Sequence, residues 1–332
     1  MTQANIRAIE NAMSAALSHY AKTTGDAFPT VPQLQFDPDT GFWASAEMVE
    51  QELVITVTDG LVTTVSEFWA KAVTDTAVNL GGSADELTHL SLTWLMLHEL
   101  HHYQMGHFAL TGCLSLTEAK DGNAFGVASR ARLVQPKALK GIKKKDLPKV
   151  EPCLELQADH DASEMLIDAY SPDGWEIIRM RVAAISAMTV MIESEDAKRD
   201  HKLSAHPKAA TRIFQLLGHV IQMPVIEAML ADRHPELGID PRIPSDAEQS
   251  AFNRKVVIPA FLDAQHLARV ANAATIIQDL GTPQNFFRDV QIAKLADPSQ
   301  FHGMTTIGAK QWAQLVMLNS SLLPKVEPAT PA

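Results

Sequence analysis

Cysteine is scarce in this sequence, which has only Cys113 and Cys153 among 332 residues. Two cysteines exclude a disulfide framework, and we expect both side chains to be free thiols in a reducing compartment. The sequence also has no Cys-x-x-Cys spacing. Its absence argues against a zinc ion held by cysteine thiolates.

Long apolar runs and an excess of basic residues are missing as well. Residues 1–7 lack the basic region that opens a signal peptide, and no run reaches the roughly 18 apolar residues that span a bilayer. The formal net charge of −11 argues against nucleic acid as the main partner, because a polyanion would be repelled. We therefore predict a cytoplasmic protein that associates with neither nucleic acid nor a membrane.

The apolar content is nevertheless ordinary for a folded protein. Hydrophobic residues make up 46% of the chain and charged residues 20%, which excludes wholesale disorder and fibrous proteins. The length suffices for one large or two ordinary domains with sizeable cores.

The most informative stretch is residues 94–102, which reads Trp-Leu-Met-Leu-His-Glu-Leu-His-His. In its His-Glu-x-x-His pattern, His98 and His102 lie one helical turn apart, so both imidazoles can bind one divalent ion. Glu99 then lies beside the ion without binding it. Zinc lowers the pKa of a bound water molecule to roughly 7, and Glu99 can accept its proton during attack on a peptide carbonyl. The pattern therefore predicts a zinc peptidase.

A sequence with 13 histidines can contain a His-Glu-x-x-His pattern by chance. The residues around this motif argue against a chance match. Ser83 and Glu86 have the spacing of a capping box and follow a Gly-Gly turn, so a helix is expected to begin there. Apolar residues recur as far as Leu100 and would bury this helix. We expect His101 to be a polar neighbour rather than a ligand.

A second helix is predicted to supply the third ligand. Glu155 and Asp159 lie four residues apart and share a face. Glu155 would complete a His-His-Glu site with water in the fourth position, and Asp159 would accept the remaining ring N–H of a ligand histidine. A glutamate and an aspartate on a helix more often lie on the protein surface. Here a ligand role is favoured because the His-Glu-x-x-His motif supplies only two of the three protein ligands that a catalytic zinc ion needs. Weaker candidate ligands in the same segment are His160, Asp161 and Glu164.

The N-terminal part is predicted to contain helices and a small sheet. Residues 5–20 and 61–78 have helical periodicity. Residues 34–36 and 42–45 are expected to form a hairpin. The β-branched run at 53–58 is the clearest strand. It is either an edge strand that holds an extended substrate beside the metal or an interior strand with a packing role.

Residues 117–150 are rich in glycine and lysine. Lysines gather towards the end of this segment, at Lys137, Lys140, Lys143, Lys144, Lys145 and Lys149. Such a charge run is typical of a solvated flexible loop, and a lid or a dock for an acidic partner is the alternative. Further along, residues 175–193 are predicted to be a long apolar helix, and helices with breaks continue to a disordered tail at 324–332.

These segments together resemble the HtpX-like and CAAX-prenyl-protease-like gluzincin zinc metallopeptidases. The resemblance covers residues 54–217, and a weaker similarity to Lit-type phage-exclusion peptidases rests on the zinc motif alone. The matching motifs, in the family's order, are Asp59-Gly60-Leu61, His98-Glu99-Leu100-His101-His102 with Gly106-His107, Glu155-x-x-Ala158-Asp159, and Ser204-Ala205-His206-Pro207 with Arg212-Ile213. The resemblance implies that His98, His102 and Glu155 bind one zinc ion per chain, with Glu99 as general base and Asp159 supporting a ligand.

The last of these motifs implies that His206 and Arg212 line the site and stabilise the oxyanion. A physical reason supports this role, because positioned donors stabilise the negative charge of a tetrahedral intermediate. A His-Pro helix start that serves only as a cap is the alternative. Membrane-embedded members of that family carry transmembrane helices, which we do not expect in this sequence, so their substrates are not inherited.

The predicted fold is therefore α+β and predominantly helical, a zincin-type metallopeptidase with a small β-sheet. Residues 1–218 would form the catalytic domain and residues 219–323 a helical C-terminal region. The predicted function is zinc-dependent hydrolysis of internal peptide bonds in a protein or peptide substrate. One alternative is a zinc-stabilised interaction or regulatory module without proteolytic activity, and another is a non-proteolytic zinc hydrolase with a closed pocket.

Overall fold

A computed structural model describes the chain over residues 1–74, 79–111, 114–115, 139–198 and 206–323. Within these ranges the structure is mostly helical and has one small sheet, which confirms the predicted α+β class with a helical majority. The strands are β1 (Gln33–Asp37), β2 (Ala44–Val49), β3 (Glu52–Thr58) and β4 (Leu114–Ser115). The α-helices are α1 (Gln3–Thr24), α2 (Asp59–Ala72), α3 (Ala84–Gln104), α4 (Phe108–Thr111), α5 (Val150–Ile167), α6 (Trp175–Asp196), α7 (Ala209–Gln222), α8 (Ile226–Arg233), α9 (Asp246–Phe252), α10 (Ile258–Val270), α11 (Ala274–Leu280), α12 (Pro283–Lys294) and α13 (Ile307–Leu322).

The sheet has the strand order β1-β3-β2-β4. β3 pairs in parallel with β1 and antiparallel with β2, so the predicted hairpin between residues 34–36 and 42–45 is wrong. The hairpin lies between β2 and β3. Its turn residues Glu50 and Gln51 have positive φ angles of 50° and 74°, a geometry that matches the twist of paired strands. Neither is the Asn or Gly that usually marks such a turn, so the sequence carries no signal for it.

β3 is an interior strand, with β1 on one side and β2 on the other. Its apolar side chains Leu53, Val54, Ile55 and Val57 are all buried. The interpretation of residues 53–58 as an edge that holds substrate is therefore wrong, and the interior alternative is confirmed. A near-continuous apolar run is what a strand buried on both faces requires.

α3 is the central helix of the structure. Its start has the predicted capping box, in which Glu86 N donates to Ser83 Oγ at 3.3 Å and Ser83 N donates to Glu86 Oε2 at 2.8 Å. Every residue from Ser91 to His102 is buried, because α1, α2, α5 and α6 pack around the helix. A helix enclosed on all sides holds its side chains in fixed directions, as a ligand-bearing helix must.

One apolar core crosses the boundary predicted at residue 218. That boundary falls inside α7, and a single cluster of buried side chains runs from Ile9 to Ala313. α13 packs closely on α7 and also contacts α5. At the start of α13, a Cβ added to Gly308 would lie 2.5 Å from the backbone oxygen of Ala210. The last long helix therefore packs directly against α7 and against α5, which is one of the helices around α3.

The predicted helices are present with shifted ends. α1 contains residues 5–20, and α6 contains residues 175–193. α2 ends at Ala72, and residues 75–78 of its predicted span lie outside the described residues. Of the basic segment, residues 139–149 form turns and a short 3₁₀ helix (Leu147–Lys149), with exposed side chains at Lys140, Lys143, Lys144 and Lys145. Lys137, Cys113 and the predicted tail lie outside the described part of the chain.

One described stretch, Ala209–Arg233, is long and apolar enough to cross a membrane by length and composition. Its first part is α7, whose buried residues include Arg212, Ile213 and Leu217. Core helices of folded proteins meet the same two criteria. The expected absence of a membrane partner stays a prediction.

Candidate metal centre

α3 and α5 bring the three predicted metal ligands together. The Nε2 atoms of His98 and His102 lie 3.0 Å apart, and Glu155 places one carboxylate oxygen 3.3 Å from the former and the other 3.4 Å from the latter. A tetrahedral ion with bonds of about 2.0–2.1 Å separates its ligands by roughly 3.3 Å. All three residues are at most 2% exposed. This buried group can hold a metal ion.

Asp159 holds the outer nitrogen of His98. The carboxylate oxygen Oδ1 lies 3.0 Å from His98 Nδ1, so Nδ1 carries a proton, and Nε2 is the nitrogen directed at His102 and Glu155. Asp159 is in turn bound by Arg212, which donates from Nε and Nη2 to both carboxylate oxygens at 2.6 Å. Although burial by itself raises the pKa of Asp159, Arg212 and His98 lower it to about 2. The carboxylate is therefore ionised at neutral pH.

A second chain of contacts, absent from the sequence predictions, holds the outer nitrogen of His102. His102 Nδ1 lies 2.8 Å from His107 Nδ1, and His107 Nε2 lies 2.9 Å from Gln157 Oε1. Gln157 Nε2 donates to Asn319 Oδ1 in α13. Because Gln157 Oε1 can only accept, His107 carries its proton on Nε2. His107 Nδ1 must then accept from His102 Nδ1, which leaves His102 Nε2 with a lone pair.

His107 reaches His102 because α3 ends at Gln104 and Gly106 has a left-handed φ of 71°. The sequence of residues 103–107 instead predicts that the helix continues for about another turn. The backbone N–H of His107 then donates to His102 O at 3.0 Å, and that of Gly106 donates to Tyr103 O at 2.9 Å. These two bonds define a Schellman motif, which folds the residue after the glycine back onto the last turn. In the sequence, Gly106 is the residue that marks this helix end.

The electrostatics of the site favour a cation. Burial lowers the pKa of His98, but Asp159 and Glu155 more than offset this effect and raise it to about 10. For His102, burial and the neighbouring His98 hold the pKa well below its usual value. Two imidazole lone pairs and a carboxylate that converge in a buried space repel one another unless a proton or a metal ion lies between them. The donor set therefore fits a divalent metal ion.

Glu99 is buried next to this group and has the properties of a proton carrier. Among the described residues its Oε2 atom has no hydrogen-bond partner. Burial, assisted by the charge of Glu155, raises the pKa of Glu99 to about 7. A carboxyl group with such a pKa can take up and release a proton near neutral pH.

His206 and Arg212 have different relations to the centre. His206 Nε2 lies 3.6 Å from Glu155 Oε2, and its Nδ1 lies 3.0 Å from Asp196 Oδ2. Burial lowers the pKa of His206, but Glu155 and Asp196 raise it above its usual value. Arg212 also stacks over Trp94, 5.6 Å from the ring centroid. Arg212 therefore acts on the centre through Asp159, whereas His206 reaches a ligand directly.

The remaining candidate residues lie outside the ligand group. His101 Nδ1 lies 2.7 Å from Leu97 O, so it is a buried polar neighbour as expected. His160 and Glu164 lie with His219 in a separate group. Cys153 is buried among apolar side chains of α5 and α13, and burial raises the pKa of its thiol to about 12.

Comparison with known proteins identifies no relative: no protein-family model, no curated protein and no solved structure matches the chain. The resemblance to gluzincin peptidases is therefore carried only by the residues and motifs of the sequence. It stays a prediction.

Proposed function

We propose that this chain is a zinc-dependent endopeptidase that hydrolyses peptide bonds of a protein or peptide substrate. One observation carries the proposal: the donor atoms of His98, His102 and Glu155 come from two separate helices and lie 3.0–3.4 Å from one another. Separations of this size fit three corners of a tetrahedron around one zinc ion. A fourth corner would remain for water or substrate.

The kind of donor atom favours zinc. Two imidazole nitrogens and one carboxylate oxygen form the ligand set of catalytic zinc in peptidases, whereas magnesium and calcium are bound by oxygen atoms. Each imidazole is also oriented through its outer nitrogen, by Asp159 on one side and His107 on the other. Such outer contacts typically accompany histidines that bind zinc.

Glu99 is the proposed general base. The chemistry that a bound zinc ion supplies is polarisation of the substrate carbonyl and a lowered pKa of water. Glu99 accepts the proton of the attacking water on its free oxygen and later donates it to the leaving amine. Burial raises the pKa of Glu99, a direction that supports its role as a proton carrier.

His206 and the Asp159–Arg212 pair have proposed supporting roles. His206 is next to Glu155, and a protonated imidazole there stabilises negative charge on the tetrahedral intermediate. For Arg212, the bidentate contact with Asp159 favours support of His98 over direct contact with the oxyanion. The similarity to the His-Pro motif of gluzincin peptidases supports the role of His206, whereas the role proposed for Arg212 differs from the oxyanion contact that the resemblance implies. We propose that the chain is cytoplasmic.

A zinc-stabilised interaction or regulatory module is the second candidate, and burial favours it. His98, Glu99, His102 and Glu155 are each at most 2% exposed. A substrate would reach them only after a neighbouring segment moves, whereas a structural zinc site can remain closed.

A cleavage assay separates the two candidates. The purified, zinc-loaded full chain is incubated with a mixture of unfolded proteins, and new N-termini are identified by mass spectrometry. We expect cleavage by the wild type and by the exposed control variant Glu227→Gln, and none by Glu99→Gln at equal zinc content. Zinc-loaded wild type that produces no more new N-termini than Glu99→Gln would contradict the peptidase and support the module.

A further inference from the structure

A second group of potential metal ligands lies on a different face of α5. His160 and Glu164 are one helical turn apart on α5, and His219 faces them from α7. One ligand atom from each residue lies within 4.8 Å of the others. The rings of His160 and His219 meet edge to face with centroids 5.5 Å apart, and His219 Nδ1 lies 3.9 Å from Glu164 Oε1. None of the three contributes to the first centre.

The burial of these side chains suits a site at the protein surface. The side chain of His219 is 11% exposed and that of Glu164 is 48% exposed. The separations exceed the roughly 3.3 Å of a tetrahedral site. The side chain of Glu164 is half-exposed, so rotation of its carboxylate can shorten its distance to the two imidazoles.

The same three residues line a cavity of about 530 Å³. The other walls are mainly apolar and come from α7, α8, α12 and α13, through side chains such as Phe214, Ile226, Leu230, Trp312 and Leu315. An ion held by two imidazoles and one carboxylate would keep open positions towards this cavity. The volume lies within the range of small-ligand sites.

We propose that His160, Glu164 and His219 form a second binding site for a divalent ion of the zinc class. Two imidazole nitrogens and one carboxylate oxygen favour zinc and its transition-metal neighbours over magnesium or calcium. An ion at this site connects α5 to α7, the helices that carry Asp159 and Arg212. The site does not depend on the peptidase assignment, because it shares no ligand with the first centre.

Zinc titration of the metal-free full chain tests the site. The probe is zinc chloride, and the bound fraction is measured by competition with a chromophoric chelator. We expect about two zinc ions per wild-type chain and about one per His219→Ala chain. The exposed His89 serves as the matched control, and His89→Ala should bind as many ions as the wild type.

The decisive quantity is the difference in the number of bound zinc ions per chain between the wild type and His219→Ala. A difference of about one ion supports the second site even if the first centre binds nothing, and no difference overturns it. Glu164→Ala gives an independent check, because removal of a half-exposed side chain leaves the fold intact. This variant should bind the second ion at least about tenfold more weakly, and unchanged binding by Glu164→Ala would also contradict the assignment.

Discussion

His107 Nδ1 lies 2.8 Å from His102 Nδ1, and this contact connects the candidate metal centre to the last helix of the structure. From His107 the connection continues through Gln157, on the same helix as the third ligand, to Asn319 in α13. The orientation and tautomer of His102 therefore depend on residues far from the zinc motif in sequence. The C-terminal region is part of the support of the site.

Gln157→Ala should weaken zinc binding at the first centre by about 10- to 100-fold, the usual contribution of outer contacts to ligand histidines. Without the Gln157 carbonyl, His107 loses the acceptor for its Nε2–H, and the tautomer of His102 is no longer fixed. Chelator competition measures the affinity. Gln215→Ala is the matched control, because Gln215 donates to Leu156 O on α5 but is not part of this hydrogen-bond chain. Equal losses in the two variants would contradict the proposed connection.

Arg212→Ala should lower both the stability of the fold and the affinity for zinc. The substitution leaves the Asp159 carboxylate buried without its counter-charge, which destabilises a fold by about 3–5 kcal/mol. The pKa of the Asp159 carboxyl group then rises, although His98 still lowers it, and the contact that orients His98 is weakened. Chemical unfolding measures the stability of the fold, and chelator competition measures the affinity for zinc.

Arg179→Ala is the control for the ion pair itself. Arg179 binds Asp263 with the same two-bond geometry, at 2.7 and 2.8 Å, between α6 and α10. The Arg179 side chain is 28% exposed, so its loss should reduce stability less than the loss of Arg212. Zinc affinity should not change. If Arg179→Ala weakened zinc binding as much as Arg212→Ala, the loss of zinc affinity in Arg212→Ala would be due to a general loss of stability and not to the contact with Asp159.

Cys153 should be unreactive in the folded protein. Its thiol is buried, donates to Leu315 O at 3.4 Å, and has a pKa raised to about 12 by burial. In a Cys113→Ser background at pH 8, an aromatic disulfide reagent should modify Cys153 only as fast as the protein opens, and immediately after denaturation. Rapid modification of the native protein would contradict the packing of α13 on α5.

The same thiol gives a pH dependence with a defined sign. The pKa of Cys153 is higher in the folded chain than the roughly 8.5 expected in the unfolded chain, so the folded state binds the proton more tightly. Its contribution to stability is complete below about pH 8.5 and declines as the pH rises towards 12. Chemical unfolding of the wild type and Cys153→Ala over this range should show a steeper decline for the wild type. Parallel curves would argue against a buried thiol.

The ligands could be predicted from the sequence because helix geometry fixes which side chains share a face. His98 and His102, like Glu155 and Asp159, lie one turn apart, so each pair was expected to act together. Because the two histidines need a third protein ligand to complete a zinc site, the pair of carboxylates was the place to look for it. The position of β3 could not be predicted in this way, since strand propensity does not distinguish an edge strand from an interior one.

The support of His102 illustrates where sequence reasoning stops. Gly106 marks the helix end that turns His107 back onto His102, and this local signal was available. The contact between Gln157 and Asn319 joins positions 162 residues apart. It arises only from the packing of α13 on α5, which no local pattern specifies. The partner of Arg212 was not predicted for the same reason, since α5 and α7 meet only in the folded chain.

The central claim is that His98, His102 and Glu155 bind one zinc ion and leave a position open. Crystals of the zinc-loaded full chain, with anomalous diffraction measured at the zinc absorption edge, test it most directly. We expect an anomalous peak at about 2.0–2.2 Å from His98 Nε2, His102 Nε2 and a carboxylate oxygen of Glu155, with solvent as the fourth ligand. No peak at these residues, a peak without Glu155, or a fourth protein ligand that closes the site would contradict the account.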